Sequence, residues 1–164
     1  MSLKIYIYGD RSLPVIQECK KTVEEFGAII VDETCKADLA IAPLLTQKLS
    51  SREIRLPKLG TLIFHPSLLP RHRGPDAIRW AFALGEKYSG VTWFWADEGL
   101  DTGDICEQEV LAIREGEKPR AFYSRAVIPA ATRTLKRVLQ LLSRGVIRRV
   151  PQLHEDATYE YKRA

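Results

Sequence analysis

Hydrophobic positions along the chain follow two rhythms, short continuous runs and helical spacings of three and four. Residues 3–8 (LKIYIY) are β-branched and aromatic and stop at Gly9, which predicts a buried first strand. Leu13, Ile16, Cys19, Val23 and Phe26 then recur at helical spacing, with Ser12 as the expected N-cap, Pro14 in the first turn and Gly27 as the stop. Residues 28–31 and 38–42 predict two further strands, and 46–54 has room for one or two helical turns before Pro57. The apolar run 60–64 (GTLIF) is the next strand. Gly74 and Pro75 open a helix carrying Ala77, Ile78, Ala81, Phe82 and Leu84, which Gly85 closes. Residues 90–96 (GVTWFWA) form a strand, 97–104 a polar loop, and 105–113 a further strand. Pro129 suits the first position of a last helix that Gly145 ends. On its wheel Ile128, Ala131, Leu135, Val138, Leu139 and Leu142 share one face, opposite Arg133, Arg137, Arg144 and Arg148.

Alternating short strands and helices predict an α/β fold with a largely parallel sheet. The chain has 164 residues, 45% of them hydrophobic, enough for one packed core. The expected organisation is one catalytic domain over residues 1–150 and a polar, loosely held tail over 151–164. Composition excludes a disordered or collagen-like chain. No apolar run is long enough to span a bilayer, and the N-terminus runs straight into a strand rather than a signal peptide, so no membrane association is expected. The three scattered cysteines, Cys19, Cys35 and Cys106, read as thiols in a reducing compartment, with the cytoplasm as the expected location.

The net charge of +4 is local. Residues 118–149 hold nine basic side chains and no acid, which leaves 16 basic against 21 acidic residues, a net −5, elsewhere. A basic stripe of this kind serves phosphate or RNA in some proteins and is a solvated face in most. It lacks interleaved aromatics for base stacking, so nucleic acid is not the expected partner.

The first βα turn, Gly9-Asp10-Arg11-Ser12, has one glycine. A dinucleotide turn needs GxGxxG for close approach to the pyrophosphate, so that cofactor class is not expected, and a P-loop is also missing. His65 directly follows a buried strand, at the carboxyl end where open α/β sheets bind ligands. It reads equally as a general base or as a residue that caps a loop. The loop 97–104 carries four acids, Asp97, Glu98, Asp101 and Asp104, without the alternation of an EF-hand. A carboxylate from it beside His65 would stabilise an imidazolium and prepare it for proton transfer. His65 and His72 lie seven apart in a loop with no paired cysteines, a poor zinc spacing.

Two stretches, HPSLLPRHRG at 65–74 and GVTWFWADEGLDTGDI at 90–105, resemble the 10-formyltetrahydrofolate-dependent formyltransferase family. His65 and Asp101 stand 36 apart, the spacing of that family's catalytic His and Asp. The likeness runs from about residue 38 to 159, and its motifs are most similar to the hydrolase domain of formyltetrahydrofolate dehydrogenase and to methionyl-tRNA formyltransferase. The resemblance implies a Rossmann-like three-layer α/β domain, shortened at the N-terminus by about one βα unit in the region that helps hold the acceptor. It implies transfer of a formyl group from 10-formyltetrahydrofolate to an amine, without metal. His65 is then the acid/base and oxyanion partner, and Asp101 raises its pKa. Thr46, Gln47, Lys48, Leu49, Asp97, Glu98, Gly99 and Leu100 match the pterin pocket, and Ser67, Leu68, Leu69 and Pro70 the folate side. Packing of the loop explains Leu68 and Leu69 equally well.

Most formyltransferases carry Asn two residues before the catalytic His; here that residue is Ile63. A lost oxyanion donor costs about a hundredfold or more in rate. Slow transfer, a 10-formyltetrahydrofolate hydrolase, and a catalytically weak folate-binding module are therefore the alternatives. The chain ends where tRNA-binding domains begin in the family, which weakens a tRNA acceptor. A homodimer is a further possibility for a sheet with an uncovered margin.

Overall fold

The computed structural model describes residues 2–164. The strands are β1 (Lys4–Ile7), β2 (Ile29–Ile30), β3 (Leu39–Ala42), β4 (Thr61–His65), β5 (Tyr88–Trp95) and β6 (Ile105–Ala112). They form one six-stranded sheet in the order β2-β1-β3-β4-β5-β6. The first four pair in parallel, and β5 and β6 add antiparallel, so the sheet is mixed, with three parallel pairings of five. The parallel part matches its near-continuous apolar runs, since such strands are covered on both faces. β5 and β6 follow each other through the 97–104 loop, a connection too short for a parallel crossover.

The helices are α1 (Pro14–Glu25), α2 (Ser51–Arg55), α3 (Ala77–Ala83), α4 (Pro119–Phe122) and α5 (Ile128–Ser143). α1 and α5 pack together over one face of the sheet, burying Val15, Ile16, Val23, Leu135, Val138 and Leu139 against Ile5, Ile7, Leu62 and Phe64. Trp93 completes this layer, its indole N–H donating to Thr134 Oγ1 at 2.9 Å. Cys19 and Cys106 lie inside, where burial pushes their thiols up to about 12 and about 11; Cys35 is exposed.

Four expectations are corrected. Leu13, not Ser12, stands at the N-cap position of α1, with no side-chain cap bond, and the Ser12 N–H donates to Asp10 Oδ1 in the preceding turn. The last helix does not begin at Pro129. α4 runs into it through a π turn over Tyr123–Val127, in which the Ile128 N–H donates to the Tyr123 carbonyl. A helix cannot take a backbone hydrogen bond from proline, and the wider turn absorbs that gap just before it.

The tail is not loose either. Gln152 is buried, Arg73 and Tyr159 form a parallel bridge, and the Trp80 indole donates to the Tyr161 carbonyl at 2.8 Å. Nor is the basic stripe a free face. Arg133 and Arg137 reach over β6 to Glu109 and Glu107, Arg148 reaches Glu107, and Arg149 stacks on Trp95. No helix among the described residues is long and apolar enough to cross a membrane.

Candidate active site

Side chains alternate across a strand, so β4 sends Leu62 and Phe64 into the α1/α5 core and Thr61, Ile63 and His65 to the opposite face. There the Thr61 hydroxyl bonds the Ile54 carbonyl of α2, and Ile63 pairs in register with Phe94 of β5. Beyond them, at the carboxyl end of β4, opens a cleft of about 460 Å³. Its apolar walls include Leu44, Leu45, Ile54, Ile63, Phe94 and Leu100, with His65 and Asp101 among them.

His65 is 7% exposed. Its Nε2–H donates to the His72 carbonyl at 2.6 Å, which fixes the ring and leaves Nδ1 turned to Asp101 Oδ2 at 3.6 Å. That separation is an ion-pair contact rather than a hydrogen bond. Asp101 Oδ2 is itself held by the Gly74 N–H at 2.7 Å. His72, Asp76 and Asp101 are the non-glycine residues with positive φ among those described, at 54°, 62° and 54°. All three stand in or directly behind this wall. Such backbone costs roughly 1–3 kcal/mol per residue and clusters where a site demands it.

Of the residues singled out from the sequence, Thr46, Gln47, Lys48, Leu49, Asp97, Gly99 and Leu100 line the same cleft as His65 and Asp101. Asp97 spends its carboxylate on its own loop, accepting from the Gly99 N–H at 3.0 Å and the Thr102 hydroxyl at 2.6 Å. Glu98 turns away from the cleft to Ser51, whose hydroxyl donates to it at 2.5 Å and so ties the loop to α2. Ser67, Leu68, Leu69 and Pro70 lie outside the cleft, packed on β5. Ser67 donates to the Arg71 carbonyl, Leu68 fills the space over Gly90, and the Leu69 N–H donates to Thr92 Oγ1 at 3.2 Å.

Sequence reasoning did not single out Leu44, Leu45, Phe94 or Asp76 as wall residues. Phe94 was within reach, since it sits in a strand that pairs with the His65 strand. Asp76 carried no signal, because its place depends on a left-handed turn before α3. No cluster of three or more His, Cys, Asp or Glu stands in metal-binding geometry among the described residues.

Residues 20–139 match the formyl transferase family model. The mitochondrial 10-formyltetrahydrofolate dehydrogenase of Mus musculus is 39% identical over 140 residues, 85% of this chain and 15% of that protein. The methionyl-tRNA formyltransferase of Pelotomaculum thermopropionicum is 34% identical over 143 residues, 86% of this chain and 44% of that one. The chain thus spans less than half the length of these relatives. Among solved structures, HypX from Aquifex aeolicus superposes with a TM-score of 0.87 at 24% identity, over 99% of this chain and 30% of that one. The formyltransferase PseJ from Anoxybacillus kamchatkensis gives a TM-score of 0.78 at 22% identity, over 96% of this chain and 84% of that one. With the family model matching well over half of its residues, the chain belongs to the formyl transferase family.

Proposed function

We propose that this chain transfers a formyl group from 10-formyltetrahydrofolate to an amine, with His65 as general acid/base and Asp101 as its charge partner. The observation that carries the reading is the His65–Asp101 pair, 3.6 Å apart in a largely apolar cleft. Relatives named for 10-formyltetrahydrofolate, and a HypX structure in complex with tetrahydrofolic acid, support the donor. The cleft fits that donor in size and kind. Its volume lies in the range of small-molecule sites, and its apolar walls suit the faces of a flat ring.

The chemistry follows from which nitrogen of His65 is free. With Nε2–H held by the His72 carbonyl, Nδ1 is the position that takes a proton from the attacking amine. The imidazolium so formed lies beside the Asp101 carboxylate, which lowers its cost in a partly dry site. The same proton is then delivered to the departing folate nitrogen, so the amine loses one proton and the donor gains one. Thr46–Leu49 and the Asp97–Leu100 loop hold the donor, and Asp101 keeps its own orientation through the Gly74 N–H.

Release of the formyl group to water is the second reading, and Ile63 bears on the rate of both. On the cleft wall two residues before His65, it offers the developing oxyanion no donor. Incubation with labelled 10-formyltetrahydrofolate, with and without candidate amines, separates the two by formylated product against formate. We expect His65→Ala and Asp101→Asn each to lower turnover by about 10²–10⁴. Full turnover in either variant refutes the mechanism, and a titration with no donor binding refutes both readings.

A further inference from the structure

The supports of the His65–Asp101 pair run through residues 72–74, and those three residues are gripped by the C-terminal segment 152–160. His72 supplies the carbonyl that accepts from His65, and Gly74 supplies the N–H that holds Asp101. Between them Arg73 is 1% exposed. Its guanidinium donates to Gln152 Oε1 at 2.8 and 3.1 Å, to the Tyr159 hydroxyl at 2.6 Å and to His154 Nδ1 at 2.8 Å. Its backbone pairs with the same segment, N–H to the Thr158 carbonyl at 2.9 Å and carbonyl from the Glu160 N–H at 2.8 Å.

His72 is gripped in the same way. Its backbone N–H donates to Thr158 Oγ1 at 2.7 Å, and its ring stands between two carboxylates, Nδ1 at 2.7 Å from Glu160 and Nε2 at 3.0 Å from Glu86. The segment also reaches Asp101 directly, because Gln152 Nε2 donates to the Asp101 carbonyl at 2.9 Å and the Gly103 carbonyl at 2.7 Å. Close approach is built in at Gly74, where a Cβ would lie 2.5 Å from the Glu160 carbonyl oxygen. A guanidinium and an imidazole buried this deeply are costly without their partners, so residues 72–74 keep this arrangement only while the segment is docked.

We propose that residues 152–160 are a strap that sets the His65–Asp101 geometry, with His72, Arg73 and Gln152 as positioning residues, so that whatever displaces the strap switches catalysis off while the donor still binds. The inference rests on the acid–base reading of His65 and Asp101. No residue of the strap lines the cleft, so its loss acts on the reacting pair and not on the walls. The two left-handed residues it grips, His72 and Asp101, are the ones with most to gain by relaxing when it leaves.

The test uses the full chain with Glu160→Ala, Glu160→Gln and Tyr159→Phe. Tyr159 is 58% exposed, so Tyr159→Phe takes one partner from the Arg73 guanidinium and leaves the apolar core as it is. For Glu160→Ala we expect kcat with 10-formyltetrahydrofolate to fall about tenfold to a hundredfold, the effect of a small misplacement, with KM held within about twofold. Glu160→Gln, which still accepts from His72, restores most of the rate, and Tyr159→Phe moves kcat the same way by less. In parallel, proton NMR of the substrate-free protein follows the downfield His65 Nε2–H resonance that the His72 carbonyl protects. That signal shifts or broadens in Glu160→Ala and returns in Glu160→Gln. An unchanged resonance in Glu160→Ala and Tyr159→Phe overturns the strap, whether or not kcat falls with the folded fraction. The resonance needs no turnover, so a wild-type protein that transfers no formyl group refutes the functional reading and leaves the strap to be judged by NMR.

Discussion

Ile63 and His65 stand two apart on β4 and therefore face the same cleft, one unable to donate a hydrogen bond and the other anchored by one. This juxtaposition makes Ile63 the sharpest single position for testing the chemistry. An Ile63→Asn variant places an amide on the cleft wall where the proposed mechanism develops its oxyanion. We expect its kcat for formyl transfer to rise by about tenfold to a hundredfold, since one such donor is worth about 10²–10³ in rate. Steady-state assays of formylated product check this, and an unchanged kcat removes the position from the oxyanion argument. His65, Asp101 and Ile63 were all legible in the sequence, because motif and strand alternation place them. The choice of nitrogen on His65 was not, because it depends on a backbone carbonyl from His72 in a left-handed conformation.

At the scale of elements, the turn between β6 and α4 shows how acidic and basic side chains are spent inside this molecule. Arg125, in the π turn, donates to Glu117 at 2.6 and 2.8 Å and to the Ala112 carbonyl at 2.9 Å, joining the helical segment to the end of β6. The Arg125 fork, helped by the Arg114 N–H, lowers the Glu117 carboxyl from 4.5 to about 2. A carboxyl that titrates lower when folded stabilises the fold above its unfolded value and loses that contribution as pH falls through the folded one. We expect the thermal midpoint of the wild type to exceed that of Glu117→Gln above about pH 5, and the gap to close towards about pH 2. Melting curves at stepped pH check this, and a gap that does not change with pH refutes it. The helix that follows the π turn was legible as an amphipathic stripe, whereas α4, the π turn and this ion pair were not. The Arg125 fork depends on the end of β6, whose Ala112 carbonyl it also reaches.

At the scale of the molecule, one core joins the parallel and antiparallel halves of the sheet through α5, which lies on β5, β6 and α1. Leu139, fully buried on α5, belongs to that core, and we expect Leu139→Ala to cost about 2–5 kcal/mol of stability. Denaturant titrations check the value. Trp93 is tied to the same interface by its bond to Thr134, so tryptophan fluorescence and far-ultraviolet circular dichroism should change in one coincident transition. Separate transitions would mean that the two halves unfold independently.

Taken by itself, the amino-acid order determined the elements, the apolar faces, the histidine at a strand end and the acidic loop that faces it. These follow from local periodicity, turn chemistry and a motif, which neighbouring residues carry. Only the tertiary structure decided what became of the polar remainder. The tail reads as solvated because it is polar, yet its polar groups are partners for Arg73, His72 and Asp101. The basic stripe reads as free because its segment holds no acid, yet Glu107 and Glu109 arrive from β6. The SLLP loop, too, is held from β5, by Thr92 and Gly90. In each case the deciding partner lies far away in the chain, and burial of a polar group is settled by partners that only the fold brings within hydrogen-bond distance.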